Sequence, residues 1–429
     1  MSGPAPNRDA IALDQLTQLN ALLAAILPGN PFYSRKLEPA RTLLPIQSLE
    51  QFAREIPFTR KQELVADQEA HPPYGTNLTF PLDHYTRCHQ TSGTTRTPLR
   101  WLDTPESWRW MMGHWERIYA AAGIQRGDCL FFAFSFGPFI GFWTAFETAA
   151  NLGCLCLTGG AMNTVGRLRA LLDQQATVLC CTPTYALHLA HVAAAEQLDL
   201  RTSRVRIILV AGEAGGSIAA TRARIEQLWP GARVFDHHGM TEVGPASHGC
   251  PARPGVLHLL ESGFIAEIIE PVSGQALPPG QVGELVLTPL GRVGSPLLRY
   301  RTGDLVKASP HPLCPCGSRD LALEGGILGR ADDMLLVRGV NIFPSAVEDI
   351  IRRHPGVVEY RARYDAARPL AELTVQIEPA PDCADVPALV RRLESELEAT
   401  YNLRIPVAAV APGALPRFEM KAQRWIRGA

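Results

Sequence analysis

The chain has 429 residues, more than one hydrophobic core usually holds, so the sequence predicts two or more domains. Its 41 Lys and Arg residues against 42 Asp and Glu residues give a formal net charge of -1, which excludes the basic surface of a nucleic-acid or anionic-membrane binder. There is no long apolar run and no basic, apolar leader, so we expect neither a membrane span nor a signal peptide. The ten cysteines follow no regular framework and are interpreted as reduced, mostly buried thiols of a cytoplasmic protein.

The first part of the chain is predicted to be helical. Apolar spacing and capping residues indicate four helices, over 9–27, 49–54, 59–67 and 104–122. Thr59 is expected to cap the third helix and Thr104 the fourth. A loop rich in hydroxyl residues, Thr91 to Pro98, lies between these two helices.

Between residues 128 and 287 the predicted strands and helices alternate. Apolar strands are expected at 129–134, 154–157, 178–181, 207–211 and 234–236. Such alternation is typical of a parallel sheet with crossover helices, whose ligand lies at the carboxyl ends of the strands. The loops that follow these strands are rich in Gly, Ser, Thr and His, which suits a polar ligand.

The later part of the chain is richer in strands. Strands are expected at 264–269, 283–288 and 297–300, and a βαββαβ-like tail ends with a last strand at 407–410. The sequence therefore predicts an α/β protein with two domains. The large N-terminal domain, 1–330, has mostly parallel sheets flanked by helices plus a β-rich subdomain, and the small C-terminal domain, 331–429, is α+β.

Five stretches combine the groups that nucleotide chemistry needs. The loop Thr91-Ser92-Gly93-Thr94-Thr95 offers hydroxyls and backbone N–H groups that suit phosphate oxygens, although it lacks the Walker spacing and an ordinary polar turn is the alternative. The other four supply carboxylates, an arginine and a late lysine; they are His238-Gly239-Met240-Thr241-Glu242, Tyr300-Arg301-Thr302-Gly303-Asp304, Gly329-Arg330-Ala331-Asp332-Asp333 and Lys421.

In this order, the five stretches resemble the acyl-adenylate-forming superfamily of acyl-CoA synthetases, adenylation domains and firefly luciferase. Each motif alone is weak, but the set is specific, and it spans the chain from about Pro57 to the C-terminus. The segments 339–344 and 415–417 resemble the phenylacetate–CoA ligase branch in particular. The resemblance implies that ATP and a carboxylate give an acyl-adenylate and pyrophosphate, after which the thiol of coenzyme A displaces AMP.

The resemblance also assigns the nucleotide site. The hydroxyl loop would bind the phosphate chain, Thr241 would approach the α-phosphate, and Glu242 would hold Mg²⁺. Asp304 would accept from the ribose hydroxyls, with Arg330 as a second contact. The adenine and the rest of the nucleotide are expected to lie against Gly212, Glu213, Ala214, Asp236, His237, His238, Gly239 and Met240.

The small domain is expected to be mobile, because the two half-reactions need different faces of it. Lys421 would bridge the carboxylate and α-phosphate oxygens during adenylation. Asp332 would be the hinge, and Arg338 and Gly339 would then approach the thioester site.

Two positions depart from the family pattern. Arg96 stands where the phosphate loop usually has Gly, and His238 stands where the family usually has a Tyr that stacks on adenine. Both bear on nucleotide affinity rather than on the class of reaction.

A possible metal site is formed by Cys250, His258, Cys314 and Cys316. Three thiolates and one imidazole satisfy tetrahedral Zn²⁺, and the Cys-x-Cys pair gives a signal of intermediate strength. Some members of the resembled branch carry such a cluster. The alternative is a set of unrelated cysteines and a surface histidine. If the site exists, His311 is a rival ligand to His258. A zinc ion here would be structural.

Aromatic residues crowd the loop after the first parallel strand. Most of them are expected to belong to the core, and the loop members Phe136, Phe139 and Ile140 are the candidates for an acyl pocket. Aromatic walls suit a flat aryl acid, and the resemblance favours phenylacetate, benzoate or an aminobenzoate such as anthranilate.

Three functions fit this pattern. The leading hypothesis is an aryl-carboxylate–CoA ligase, and a stand-alone enzyme that loads an acyl-carrier protein would use the same site. A silent nucleotide-binding protein would be indicated by loss of Lys421, Glu242 or Asp304, and all three are present. The resembled branch gives a weak expectation of a homodimer.

Overall fold

The computed structural model describes residues 7–91, 98–338, 340–365, 371–418 and 422–428. Helices form the N-terminal part: α1 (Arg8–Ile26), α2 (Pro31–Lys36), α3 (Leu49–Glu55) and α4 (Lys61–Ala70). The prediction that Thr59 caps α4 is wrong. Arg60 is the residue before the helix, and the Thr59 hydroxyl lies 3.0 Å from the hydroxyl of Tyr33 instead.

A hairpin and a long helix follow. Strands β1 (Arg87–Gln90) and β2 (Arg100–Asp103) pair in antiparallel fashion on either side of the hydroxyl loop. Helix α5 (Pro105–Ala122) begins as predicted, because the Thr104 side chain accepts from the backbone of Ser107.

The centre of the molecule is a five-stranded parallel sheet with the order β4-β3-β5-β6-β7. Its strands are β3 (Cys129–Phe132), β4 (Leu155–Thr158), β5 (Val178–Cys181), β6 (Ile207–Val210) and β7 (Arg233–Asp236). The crossover helices are α6 (Trp143–Leu152), α7 (Thr164–Asp173), α8 (Pro183–Ala195) and α9 (Ala219–Leu228).

Both faces of the inner strands β3, β5 and β6 are buried, which explains why these strands are continuously apolar. Alternate residues of one strand enter different cores: Leu130 and Phe132 join one cluster, whereas Cys129 and Phe131 join the other. The predicted alternation of strands and helices is therefore confirmed over this part of the chain.

The β-rich part consists of antiparallel strands. A four-stranded sheet has the order β12-β13-β14-β16, a three-stranded sheet has the order β10-β11-β15, and β8 and β9 form a short hairpin. The strands are β8 (Gly239–Met240), β9 (Gly244–Pro245), β10 (Ser247–Gly249), β11 (Val256–Leu259), β12 (Phe264–Ile269), β13 (Val282–Pro289), β14 (Tyr300–Lys307), β15 (Ala322–Glu324) and β16 (Gly329–Arg330).

The C-terminal part has its own hydrophobic core, which starts at Leu335. Its elements are β17 (Leu335–Val337), β18 (Val340–Ile342), α10 (Pro344–Arg352), β19 (Val357–Asp365), β20 (Glu372–Pro379), α11 (Val386–Tyr401), β21 (Val407–Ala409) and β22 (Trp425–Arg427). The prediction that the last strand lies at 407–410 is wrong, because β22 follows it and pairs in parallel with β19. Within the described ranges, no helix is both long and apolar enough to cross a membrane.

Candidate active site

The order in which the strands are added to the parallel sheet reverses its direction beside β3. The chain runs from β3 to β4 on one side and then crosses to β5 on the other, so the loops after β3 and β5 diverge at the carboxyl edge. Such a divergence leaves a crevice, which is where sheets of this type bind ligands. The predicted site residues that follow β6 and β7 lie at the same edge.

A bulge in β14 places Asp304 at the crevice at the carboxyl edge of the parallel sheet. Strand β13 pairs Glu284 with Leu305 but Val286 with Arg301, so the chain around Asp304 carries extra residues relative to its partner. Gly303 has φ +77°, a left-handed conformation that favours glycine. The strand predicted at 297–300 instead begins at Tyr300 and continues to Lys307, so Asp304 lies within β14, opposite Arg330.

The two oxygens of Asp304 have different partners. His238 Nε2 lies 2.9 Å from Oδ2, and Arg330 Nη1 lies 3.1 Å from Oδ1. Burial opposes the charge of Arg330, but Asp304 and Asp332 outweigh that effect and raise its pKa. The structure thus brings together three residues that were predicted from separate motifs.

Glu242 is buried beside two groups that stabilise its charge. Its Oε1 lies 3.0 Å from Lys61 Nζ and accepts from the Tyr300 hydroxyl at 3.2 Å. Burial, together with the charge of Glu242, raises the pKa of Tyr300 well above its ordinary value, so this hydroxyl keeps its proton and donates.

Thr241 is held through its backbone. Arg292, fully buried, donates to the Thr241 carbonyl oxygen at 2.8 Å and forms a two-point ion pair with Asp103 at 2.9 and 2.7 Å. This ion pair lets a charged side chain in the interior fix the hairpin that carries Thr241 and Glu242.

Asp236 and His237 are directed into the interior. Asp236 accepts from the Ser217 hydroxyl at 2.5 Å, and burial raises the pKa of its carboxyl group. The His237 ring packs on Trp115 with centroids 4.5 Å apart, its Nδ1 lies 2.7 Å from the Ser247 carbonyl, and burial lowers its pKa to about 3. The His237 side chain is therefore buried in the interior, whereas Asp236 keeps part of its surface exposed.

The loop after β6 holds the other predicted adenine contacts. Gly212 has φ +94°, and Ala214 follows it in the same loop. Glu213 accepts from two backbone N–H groups, those of Thr184 at 2.9 Å and Ala422 at 2.8 Å. Gly239 and Met240 form β8, which pairs with β9.

Several predicted residues fall outside the part of the chain that the structure describes: Ser92, Gly93, Thr94, Thr95, Gly339 and Lys421. Thr91, at the edge of the hydroxyl loop, is buried, and its hydroxyl accepts from the Leu99 backbone at 3.1 Å. The Thr91 side chain thus links the two segments that flank the loop.

The predicted hinge follows β16 directly. Asp332 is exposed, accepts from Arg330 Nε at 2.9 Å, and its carbonyl accepts from Arg427 at 3.0 Å. Arg338 has φ +50° and pairs with Glu372 at 3.6 Å, on the small C-terminal part.

The candidate pocket residues lie in two adjoining aromatic groups. Phe136 and Phe139 both pack against Phe134, with ring centroids 5.1 and 5.5 Å apart. Ile140 is buried in a neighbouring cluster with Trp108 and Met111. A Cβ at Gly244 would lie 3.0 Å from Met111 Sδ, so this second cluster touches the hairpin of Thr241 and Glu242.

The four proposed zinc ligands converge in a buried corner of the β-rich part. Their donor atoms all lie within 4.8 Å of one another, with 3.5 Å between Cys250 Sγ and Cys314 Sγ and 3.4 Å between Cys316 Sγ and His258 Nε2. Donors on a tetrahedron around Zn²⁺ lie about 3.5–3.8 Å apart. His258 Nδ1 lies 3.3 Å from the Asp320 carbonyl, which leaves Nε2 as the ligand atom.

Sequence reasoning missed Lys61, Arg292 and Tyr300 as site residues. Tyr300 belongs to a recognised motif, so its contact with Glu242 could have been suspected. Lys61 and Arg292 lie far from Glu242 and Thr241 in the chain, outside any motif, and only the fold brings them there.

Two family models match the chain. The model described as AMP-binding enzyme matches residues 90–289, and the one described as AMP-binding enzyme C-terminal domain matches residues 339–427. A phenylacetate–coenzyme A ligase of Thermus thermophilus is 30% identical over 433 residues, which cover 96% of this chain and 95% of that ligase.

Crystal structures of a 2-hydroxyisobutyryl-CoA ligase, 28–29% identical, are similar to this chain over nearly its whole length. In its postadenylation state that ligase matches with a TM-score of 0.92, covering 99% of this chain and 91% of its own. In its thioesterification state the TM-score is 0.72, with 98% and 93% covered. The arrangement described here is therefore similar to the postadenylation state.

Proposed function

The chain belongs to the AMP-binding enzyme family, in its phenylacetate–CoA ligase branch, and we therefore propose that it joins an aromatic carboxylic acid to coenzyme A. It is an AMP-forming acid–thiol ligase that uses ATP and coenzyme A. The identity of the acid is the proposal. Phenylacetate, benzoate and anthranilate are the candidates. The supporting observation is the aromatic group around Phe134 together with the cluster of Trp108, Met111 and Ile140, the second of which touches the Thr241–Glu242 hairpin.

In the first half-reaction a carboxylate oxygen of the acid attacks the α-phosphorus of ATP, and the bond to pyrophosphate breaks. We assign the ribose hydroxyls to Asp304, whose carboxylate is already oriented by His238 and Arg330. Lys421 would neutralise the charge that develops on the α-phosphate oxygens. Thr241 lies on a hairpin that Arg292 fixes, so its position is set before the nucleotide binds.

Glu242 fits the role of a magnesium ligand. It supplies a hard carboxylate oxygen, and its buried charge is balanced by Lys61. Lys61 and the Tyr300 hydroxyl both contact Oε1, and among the described residues no bond to Oε2 is found, so we assign Oε2 to the cation. Mg²⁺ would neutralise charge on the phosphate chain when bound.

The four-residue cluster Cys250, His258, Cys314 and Cys316 fits a structural Zn²⁺. The donors are of the right kind and spacing, and they leave no open position for a substrate. The ion would tie β11, through His258, to the segment that contains Cys314 and Cys316.

In the second half-reaction the thiolate of coenzyme A attacks the acyl carbon, and AMP leaves. We propose that the domain boundary lies between residues 330 and 331 and that the small domain rotates about Asp332 for this step. Arg338 and Gly339 would then approach the thioester site.

A product assay by mass spectrometry tests the function. The protein is incubated with ATP, Mg²⁺ and a panel that contains phenylacetate, benzoate, anthranilate and 2-hydroxyisobutyrate, with and without coenzyme A. An aryl-adenylate without coenzyme A and an aryl-CoA with it are the expected products. Selective use of 2-hydroxyisobutyrate would overturn the aromatic proposal, and an adenylate that persists with coenzyme A would indicate a carrier protein as acceptor.

A further inference from the structure

The loop after β6 contacts the C-terminal segment that contains the proposed catalytic lysine. Glu213 accepts from the Ala422 backbone N–H at 2.8 Å through Oε2, while its Oε1 accepts from the Thr184 N–H at 2.9 Å. Ala422 immediately follows Lys421 in the sequence. One carboxylate thus joins the start of α8, in the large part of the molecule, to the small C-terminal part.

The Glu213 carboxylate lies at the N-terminus of α8, a position that favours negative charge. Thr184 is the second residue of α8, where backbone N–H groups lack partners within the helix and the helix dipole attracts negative charge. A charged acceptor also forms stronger hydrogen bonds to N–H groups than a neutral one. Glu213 is therefore held by the helix and has one oxygen left for Ala422.

A second bond reinforces the same junction. Arg424 Nη1 donates to the Thr184 hydroxyl at 3.1 Å, in a buried position. The other contacts of Arg424 stay within the small part, where Glu359 accepts from its Nε at 2.6 Å and its Nη2 at 3.2 Å. The charge of Arg424 is thus already balanced by Glu359 within the small part. The hydrogen bond to Thr184 can therefore break without leaving Arg424 as an unpaired charge.

The N–H of Ala422 belongs to the planar peptide unit that joins it to Lys421. A hydrogen bond to that N–H restricts the orientation of the unit, and Lys421 is attached to its other side. We propose that Glu213, with Thr184, is a positioning residue for adenylation, because it docks the segment 422–424 and so places Lys421. The same bonds must break when the small domain rotates for thioester formation.

This inference rests on the proposed ligase function, and the Glu213→Gln variant tests it. Glutamine keeps the size of the side chain but offers one acceptor and an NH₂ group, so it cannot accept from both N–H groups. Adenylation, measured as pyrophosphate release with whichever acid the wild type activates, is expected to slow about 10- to 100-fold, the loss of one charge-assisted hydrogen bond. Thioester formation from saturating acyl-adenylate is expected to be unchanged or faster, because both Glu213 oxygens accept from backbone N–H groups and we assign its adenine contact to the backbone of the loop.

Two further variants separate positioning from a general loss of structure. Glu226→Gln removes a carboxylate that accepts a backbone N–H at 3.0 Å within the large part, so the ratio of the two half-reactions should not change. Thr184→Val removes the acceptor for Arg424 but keeps the N–H that binds Glu213, and it should slow adenylation by a smaller factor. Equal losses in both half-reactions of the Glu213→Gln variant would overturn the proposal.

Hydrogen–deuterium exchange tests the contact without any substrate. The peptide that contains Ala422 should exchange faster in Glu213→Gln than in the wild type, and at the wild-type rate in Glu226→Gln. Unchanged exchange in Glu213→Gln would refute the docking contact even if the wild type activated no acid. An inactive wild type with faster exchange in Glu213→Gln would count against the proposed function and leave the docking contact supported.

Discussion

At the scale of single residues, Asp304 shows how a polar side chain is prepared for a ligand. Its two oxygens are oriented from opposite sides by His238 and Arg330, and the carboxylate is buried. The resemblance implied that His238 replaces a Tyr that stacks on adenine. The bond of His238 to Asp304 supports a role in orienting this carboxylate, which we propose binds the ribose, rather than a role in stacking alone.

His238→Phe is therefore expected to weaken ATP binding about fivefold, because Asp304 loses the donor that fixes one of its oxygens. Phenylalanine retains a flat ring, so a pure stacking role would survive the change. Isothermal titration with ATP measures the effect, and His84→Phe at an exposed position is the control. Unchanged affinity would mean that His238 does not position Asp304.

At the scale of elements, the bulge in β14 depends on Gly303. A Cβ there would lie 2.6 Å from Arg330 Nη2, and the positive φ adds backbone strain. Gly303→Ala should cost about 1–3 kcal/mol in stability and also lower ATP affinity, since Arg330 must move. Gly280→Ala is the matched control, because Gly280 has φ +90° and nothing within 4 Å of its Cβ position. It should lower stability in chemical denaturation and leave ATP binding intact.

The proposed zinc site formed by Cys250, His258, Cys314 and Cys316 gives a separate prediction. The purified protein should contain one zinc ion per chain by elemental mass spectrometry, and a strong chelator should lower the melting temperature, since structural zinc contributes directly to folding. Cys314→Ser should abolish zinc binding, whereas Cys88→Ser, at an exposed cysteine, should not. A wild-type protein without zinc, equally stable with chelator, would contradict the assignment.

The sequence could predict those elements whose apolar pattern follows directly from burial on both faces of a sheet. The parallel strands are continuous apolar runs because each face of the sheet enters a core, and their polar loops mark the ligand edge. Tertiary contacts decided the rest. Thr59 bonds to Tyr33 instead of capping a helix, and Asp304 lies in a bulge that only pairing with β13 reveals. Lys61 could not be assigned to the site, because a contact between distant segments leaves no local pattern.

At the scale of the whole molecule, buried histidines make stability depend on pH. Burial lowers the pKa of His237 to about 3 and that of His114 to about 4, against about 6.5 in an unfolded chain. Below pH 6.5 the unfolded chain therefore binds more protons than the folded one. Stability should fall as the pH drops from about 6.5 to about 4, by about 1.4 kcal/mol per pH unit for each histidine.

Denaturant unfolding across this pH range measures the slope. His114→Phe should reduce the slope by the contribution of one histidine. An equal slope in His114→Phe and wild type would show that His114 does not titrate as its burial implies.

The arrangement of the two parts of the chain carries the last prediction. The two parts are arranged more like the postadenylation state of a related ligase than like its thioesterification state. Asp332 lies directly after β16, between the strand that carries Arg330 and the small domain. A proline there fixes φ near -65°, so it should oppose any rotation that requires another value.

Asp332→Pro should therefore spare adenylate formation and block thioester formation. Asp332→Ala, the control, also removes the ion pair with Arg330 but leaves the backbone free, so both half-reactions should persist. Single-turnover measurements of adenylate and thioester separate the two steps. Equal loss of both in the proline variant would place the rotation elsewhere in the chain. A selective block in Asp332→Pro together with a selective loss of adenylation in Glu213→Gln would mean that one rotation, with its hinge at residue 332 and its docking contact at residue 213, governs which half-reaction the site performs.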